Sequence, residues 1–124
     1  MTGNLKPNNR AGEELMPLAD LPAPGAKGFS LGEGTDSVDI FLVRNADGDV
    51  MAYRNVCPHV GSPLDWMPDQ FLDMDEKLIQ CATHNALFRM EDGACISGPC
   101  NGVGLTPVAI RIQDEAICLA ETVS

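Results

Sequence analysis

Histidine is almost absent from this chain, with only two among 124 residues, and basic side chains are also few, with 8 Lys and Arg against 18 Asp and Glu. The resulting net charge of −10 repels phosphate backbones and anionic lipid surfaces, which excludes nucleic acid and membrane as partners. Aromatic residues are scarce too: one Trp, one Tyr and four Phe leave most of the packing to small aliphatic side chains. No long hydrophobic run exists. The longest apolar stretch that reads as a strand, Ile40 to Val43, is far too short to span a bilayer. The first twenty residues hold neither the apolar core of a secretory signal nor a twin-arginine pair, so the reading is a cytoplasmic chain. No G-x-G-x-x-G opens a βαβ unit, no P-loop is present, and Gly102-Val103-Gly104 reads as backbone freedom rather than a nucleotide cradle. No repeat occurs, and no stretch carries sustained helical periodicity with caps, although Pro68 to Lys77 has room for one helical turn. Five cysteines are an odd number at irregular spacings, which argues against a secreted disulfide framework and turns attention to metal ligation.

What is present reads as all-β. Residues Met1 to Glu14 are polar and aperiodic, the texture of a loosely ordered tail, and residues 15–124 are expected to form a single domain. Short Val, Ile and Leu runs alternate with Gly, Pro and Asp punctuation. The clearest hairpin joins Val38–Arg44 to Val50–Asn55 through Asn45-Ala46-Asp47-Gly48-Asp49. A second joins Ala86–Met90 to Ala94–Ser97 through Glu91-Asp92-Gly93. A third joins Val108–Ile112 to Ala116–Ala120, with Val108, Ile110 and Ile112 expected on one buried face. The interval Gly61 to Leu78 reads as an irregular excursion.

Both histidines fall beside a cysteine, in Cys57-Pro58-His59 and Cys81-Ala82-Thr83-His84, which gives C-x-H, twenty-one residues, then C-x-x-H. Two thiolates and two imidazoles suit a tetrahedral zinc ion, or a two-iron cluster with sulfur ligands on one iron and nitrogen ligands on the other. The single residue between Cys57 and His59 is shorter than the usual spacing of structural zinc pairs and favours the cluster.

These residues resemble the Rieske family, whose ligand loops read C-x-H and C-x-x-H, and the resemblance runs from about Leu15 to Ala120. Cys57-Pro58-His59-Val60-Gly61-Ser62-Pro63-Leu64 is similar to the family's first loop, and Cys81-Ala82-Thr83-His84-Asn85-Ala86-Leu87-Phe88 to its second. Asp92-Gly93 and Gly98-Pro99 resemble the strand turn and the proline loop that cover the cluster. The resemblance implies small antiparallel sheets with a cluster-binding subdomain of two loops. It also implies one [2Fe-2S] cluster per chain, held by Cys57, His59, Cys81 and His84. Family members of respiratory complexes add a disulfide between the loops and a serine after the second histidine. Here those positions are Ser62, Thr83 and Ala86, so the disulfide is absent and a low-potential site is expected. With both histidines committed to the cluster, a second, oxygen-activating iron site has no imidazole left.

The resemblance therefore implies a non-catalytic electron carrier between a reductase and an oxygenase or similar acceptor. The alternatives are a small subunit of a reductase complex and a redox-sensing adaptor. His59 and His84 are the expected exit route, with a potential that falls as pH rises through their titration. Cys95, Cys100 and Cys118 read as small buried hydrophobes, with a Cys95–Cys100 bridge as the less favoured alternative. Trp66 and Phe71 are expected to anchor the core; the alternative reading of this segment is a docking patch with an apolar centre and an acidic rim of Asp69, Asp73 and Asp75.

Overall fold

The computed structural model describes residues 8–32, 37–56, 64, 71–81, 86–98 and 104–123. Among the described residues, nine short strands form three antiparallel sheets of three strands each. The central sheet contains β2 (Gly25–Leu31), β3 (Val38–Arg44) and β4 (Val50–Arg54), in the order β2-β3-β4. A second sheet holds β1 (Glu14–Pro17), β8 (Ile110–Gln113) and β9 (Ala116–Leu119), in the order β1-β9-β8. The third holds β5 (Leu78–Gln80), β6 (Leu87–Arg89) and β7 (Cys95–Ser97), in sequence order.

Strand β3 explains why two cores form. Its residues Ile40 to Val43 are all fully buried, because successive side chains point to opposite faces and both faces are covered. Phe41 and Val43 enter a core with Tyr53, Leu64, Phe71, Ile79, Cys81, Ala86 and Phe88. Val38, Ile40 and Leu42 enter a second core with Leu15, Leu31, Ile117 and Leu119. The first core packs the third sheet against the central one; the second packs the sheet that carries both ends of the described chain. The few aromatics concentrate in the first core, where Phe41 stacks on Phe71 at 4.3 Å between centroids.

The three expected hairpins are present at nearly the expected bounds. In the first, Asn45 organises the turn: its carbonyl accepts from the Gly48 N–H at 3.0 Å and its side-chain oxygen from the Asp49 N–H at 2.9 Å. In the third, Asp114 and Glu115 both adopt positive φ, as a two-residue hairpin turn with right-handed strand twist requires. The expected buried face of that hairpin fades along its length. Val108 is buried, Ile110 half-buried and Ile112 47% exposed, because β8 is an edge strand that runs out past the second core.

Two further expectations change. The segment from Asn9 to Glu14, read from sequence as part of a loose tail, is tied to the other end of the chain. Gly12 N–H donates to Leu119 O at 2.8 Å, Leu119 N–H to Glu13 O at 2.8 Å, and Val123 N–H to Asn9 O at 2.8 Å. The described part of the candidate helical turn is instead a reversal closed by Asp73, whose Oδ1 accepts from the N–H groups of Lys77 and Leu78 at 3.0 and 3.2 Å.

Arg44, at the end of β3, bonds three carbonyls: Gly48 in the hairpin turn at 3.0 Å, and Leu18 and Leu21 at 3.1 and 2.9 Å. Leu18 to Asp20 form a single 3-10 turn, so one guanidinium fastens the connection between β1 and β2 to the central sheet. Arg44→Met keeps the apolar stem but removes the guanidinium donors from these carbonyls, and should lower the unfolding free energy by about 2 kcal/mol in urea titrations. An unchanged midpoint would contradict this role.

Candidate metal centre

Both cysteine–histidine segments are rooted in the first core. Strand β4 delivers Asn55, whose N–H donates to Asp39 O at 2.9 Å and whose Oδ1 accepts the Leu64 N–H at 2.8 Å. Asn55 and Leu64 flank the segment containing Cys57 and His59, and Leu64 is fully buried. The second segment is rooted by β5. Gln80 N–H donates to Phe71 O at 2.8 Å, Leu72 bridges Ile79, and the Cys81 N–H donates to Ala86 O at 2.9 Å. That last bond closes the span holding His84. Cys81 and Ala86 are both fully buried.

Cys81 is the one expected ligand among the described residues; Cys57, His59 and His84 lie outside them, as do Ser62, Thr83, Trp66, Asp69, Pro99 and Cys100. No group of three or more His, Cys, Asp or Glu that could hold a metal gathers among the described residues. What the structure does bring together is the framework: Leu64, Cys81 and Ala86 share one core, so the two segments are anchored on a common base. A sequestered thiol at the end of a strand fits a structural metal ligand, because burial excludes solvent and competing oxidants from the sulfur.

Gly98 adds a tight contact. It holds φ at 106°, and a Cβ there would lie 2.8 Å from the Ala86 Cα and 3.0 Å from its Cβ. Only glycine permits the β7 end to approach the root of the second segment so closely. Position 86 is an alanine and carries no hydroxyl.

Of the remaining cysteines, Cys118 is buried and Cys95 is partly buried against the first core, with its thiol donating to Ser97 O at 3.4 Å. Phe71 is fully buried, in agreement with its expected anchoring role. Sequence reasoning missed Asn55 and Tyr53. Asn55 sits two residues before Cys57, a hint that becomes meaningful only with its partner at Leu64.

A family model for the Rieske [2Fe-2S] domain matches residues 14–113, a span that includes both cysteine–histidine motifs. No curated protein matches the sequence. Among solved structures, the ferredoxin of carbazole 1,9a-dioxygenase from Nocardioides aromaticivorans IC177 is similar at 22% identity and TM-score 0.68, covering 90% of this chain and 98% of that one. The Sphingomonas yanoikuyae B1 ferredoxin gives 20% identity and TM-score 0.68, covering 89% and 98%. The terminal oxygenase of carbazole 1,9a-dioxygenase from Novosphingobium sp. KA1 gives 18% identity and TM-score 0.73, covering 96% of this chain but 31% of that one. At these identities the likeness is one of fold, and it agrees with the all-β architecture of small antiparallel sheets.

Tyr53, the only tyrosine, is buried beside the centre's framework and has its pKa raised from 10.0 to about 12, first by burial and then by the carboxylates of Asp92 and Glu91. A folded-state value above the unfolded one means that the folded chain keeps its proton between pH 10 and 12 while the unfolded chain loses it. The stabilisation is complete below pH 10 and is lost as pH rises towards 12. Tyrosinate absorbance in the folded protein should therefore appear only near pH 12, with urea stability declining across that window. A native titration midpoint at 10 would contradict the burial argument.

Proposed function

Because the chain belongs to the Rieske [2Fe-2S] domain family, we propose that it is a one-electron carrier whose residues 15–124 act as a single domain, in which Cys57, His59, Cys81 and His84 would hold the cluster. The observation that supports this most is the shared base of the two motifs: the residues that root them, Leu64, Cys81 and Ala86, occupy one core. The donor set fits the group, since two soft thiolates and two neutral imidazoles are what a mixed-ligand two-iron cluster takes. Bound there, the cluster supplies one reversibly held electron.

The chain's own residues determine how that electron is held and delivered. The apolar wall of Phe41, Phe71, Ile79 and Phe88 keeps water from the Cys81 side. Ala86 withholds the hydroxyl that would favour the reduced state, so the potential lies at the low end of the family. His59 and His84 are the exit route. Two histidines serve the cluster and no third exists, so this chain does not build an oxygen-activating site and delivers its electron to another protein.

The acceptor is an oxygenase or similar protein and the donor a reductase, a reading supported by the likeness to dioxygenase ferredoxins and by the net charge of −10, which steers basic partners. Among the described residues, no helix is long and apolar enough to cross a membrane. The test is stopped-flow mixing of the reduced protein with an oxidised Rieske terminal oxygenase. One electron per chain should transfer, at a rate that falls as salt rises. Failure to exchange electrons with any such partner, alongside co-purification in fixed stoichiometry with a larger enzyme, would instead indicate a permanent subunit.

Voltammetry should give a midpoint towards roughly −150 mV, the low end of the Rieske range. Ala86→Ser, which restores a hydroxyl at that buried position, should move it upward. A strongly positive midpoint in the unaltered protein would contradict the low-potential reading.

A further inference from the structure

Tyr53 lies on β4, the strand that leads into the first cysteine–histidine segment, and its side chain crosses the first core towards the third sheet. Its hydroxyl donates to the Met90 carbonyl at 2.6 Å in a buried hydrogen bond. Met90 follows β6, and β6 begins directly after Ala86, the residue that closes the second segment. A single side chain thus spans from the strand that feeds one motif to the strand that leaves the other.

The ring makes a second, independent link. A Cβ on Gly93, which holds φ at 73°, would lie 2.8 Å from Tyr53 Cε1 and 3.2 Å from its Cδ1, so the backbone of the β6–β7 turn rests directly on the ring. The same turn is tied back to β4 from the other side. Leu105 N–H donates to Gly93 O at 2.8 Å, and Arg54 N–H donates to Thr106 O at 2.9 Å. Tyr53, the β6–β7 turn, residues 104–106 and Arg54 therefore form a closed circuit of contacts. A phenylalanine would fill the same volume with no polar atom to satisfy. The hydroxyl adds direction: its buried hydrogen bond ties β4 to the residue that follows β6.

We propose that Tyr53 is a positioning residue that sets the two ligand-bearing segments against one another, and so determines how firmly the cluster is held. The proposal rests on the ligand assignment given above. It predicts that loosening Tyr53 affects both roots at once, although the strands that lead into them, β4 and β5, belong to different sheets and the hydroxyl itself donates to Met90 O.

The test compares Tyr53→Phe with Ile117→Val, a substitution in the second core, after both have been placed on a common urea-stability scale. Gly93→Ala serves as an independent variant that pushes the turn off the Tyr53 ring. Two readings are taken on the purified protein: hydrogen–deuterium exchange in peptides covering residues 50–64 and 78–90, and the rate of visible-absorbance loss under a chelator. Tyr53→Phe and Gly93→Ala should speed exchange in both peptides, release iron about 10-fold faster, the scale of effect seen for residues that orient metal ligands, and broaden the EPR lines of the reduced protein. Ile117→Val should leave these readings at the unaltered values. Exchange changes confined to residues 90–94, or equal effects from Ile117→Val, would overturn the proposal and reduce Tyr53 to a packing residue. If the unaltered protein holds no cluster, the ligand assignment fails, whereas the exchange comparison still decides the role of Tyr53.

Discussion

A mixed-ligand cluster places an unusual demand on a small β protein. In the proposed reading, two segments separated by twenty-one residues would each present one thiolate and one imidazole to a common centre, and coordination tolerates only small errors in position. Short segments of this kind cannot hold such geometry by themselves, so the task falls to their roots. In this chain the roots converge on one core, in which Leu64 and Cys81 are fully buried and the Cys81–Ala86 backbone bond closes the second segment at 2.9 Å. The buried Tyr53 hydroxyl on Met90 O joins the strand on one side to the strand on the other. The remainder of the fold keeps these contacts rigid.

Strand β3 makes that rigidity available at low cost in chain length. With Phe41 and Val43 facing one core and Ile40 and Leu42 facing the other, a single strand serves both halves of the molecule. The half without the motifs gathers both ends of the described residues, with β1 and β9 paired and Asn9 bonded to Val123. Its contribution is to stiffen the central sheet from behind. Arg44 fastens the connection between β1 and β2 to the central sheet by bonding the Leu18 and Leu21 carbonyls within it and the Gly48 carbonyl of the β3–β4 turn.

The parts of this arrangement that were legible in the sequence are those set by local pattern. The β3–β4 hairpin is announced by alternation around Asp47-Gly48, and the ligand motifs by the coincidence of both histidines with cysteines. Strand β2 was hidden because Gly25-Ala26-Lys27-Gly28 carries two glycines and no β-branched residue; it forms through seven paired positions along β3, a non-local cause. Strand β5 is three residues long and depends on pairing with β6 and with Phe71 and Leu72. Ile112 looked like a core residue by its spacing, yet it is exposed, and among the described residues no layer covers β8 beyond Ile110. The roles of Asn55 and Tyr53 were illegible for the same reason, since each depends on a backbone partner brought near only by folding. Identities and spacings expose the chemistry, whereas the support for that chemistry is tertiary.

The central claim is a two-iron, two-sulfide centre with two cysteine and two histidine ligands. The most direct measurement is pulsed EPR of the dithionite-reduced protein, with iron and labile sulfide quantified on the same sample. The account predicts two irons and two sulfides per chain and hyperfine couplings from two imidazole nitrogens, with the couplings lost in His59→Cys and His84→Cys. Zinc in place of iron, or a cluster spectrum without nitrogen coupling, would contradict it.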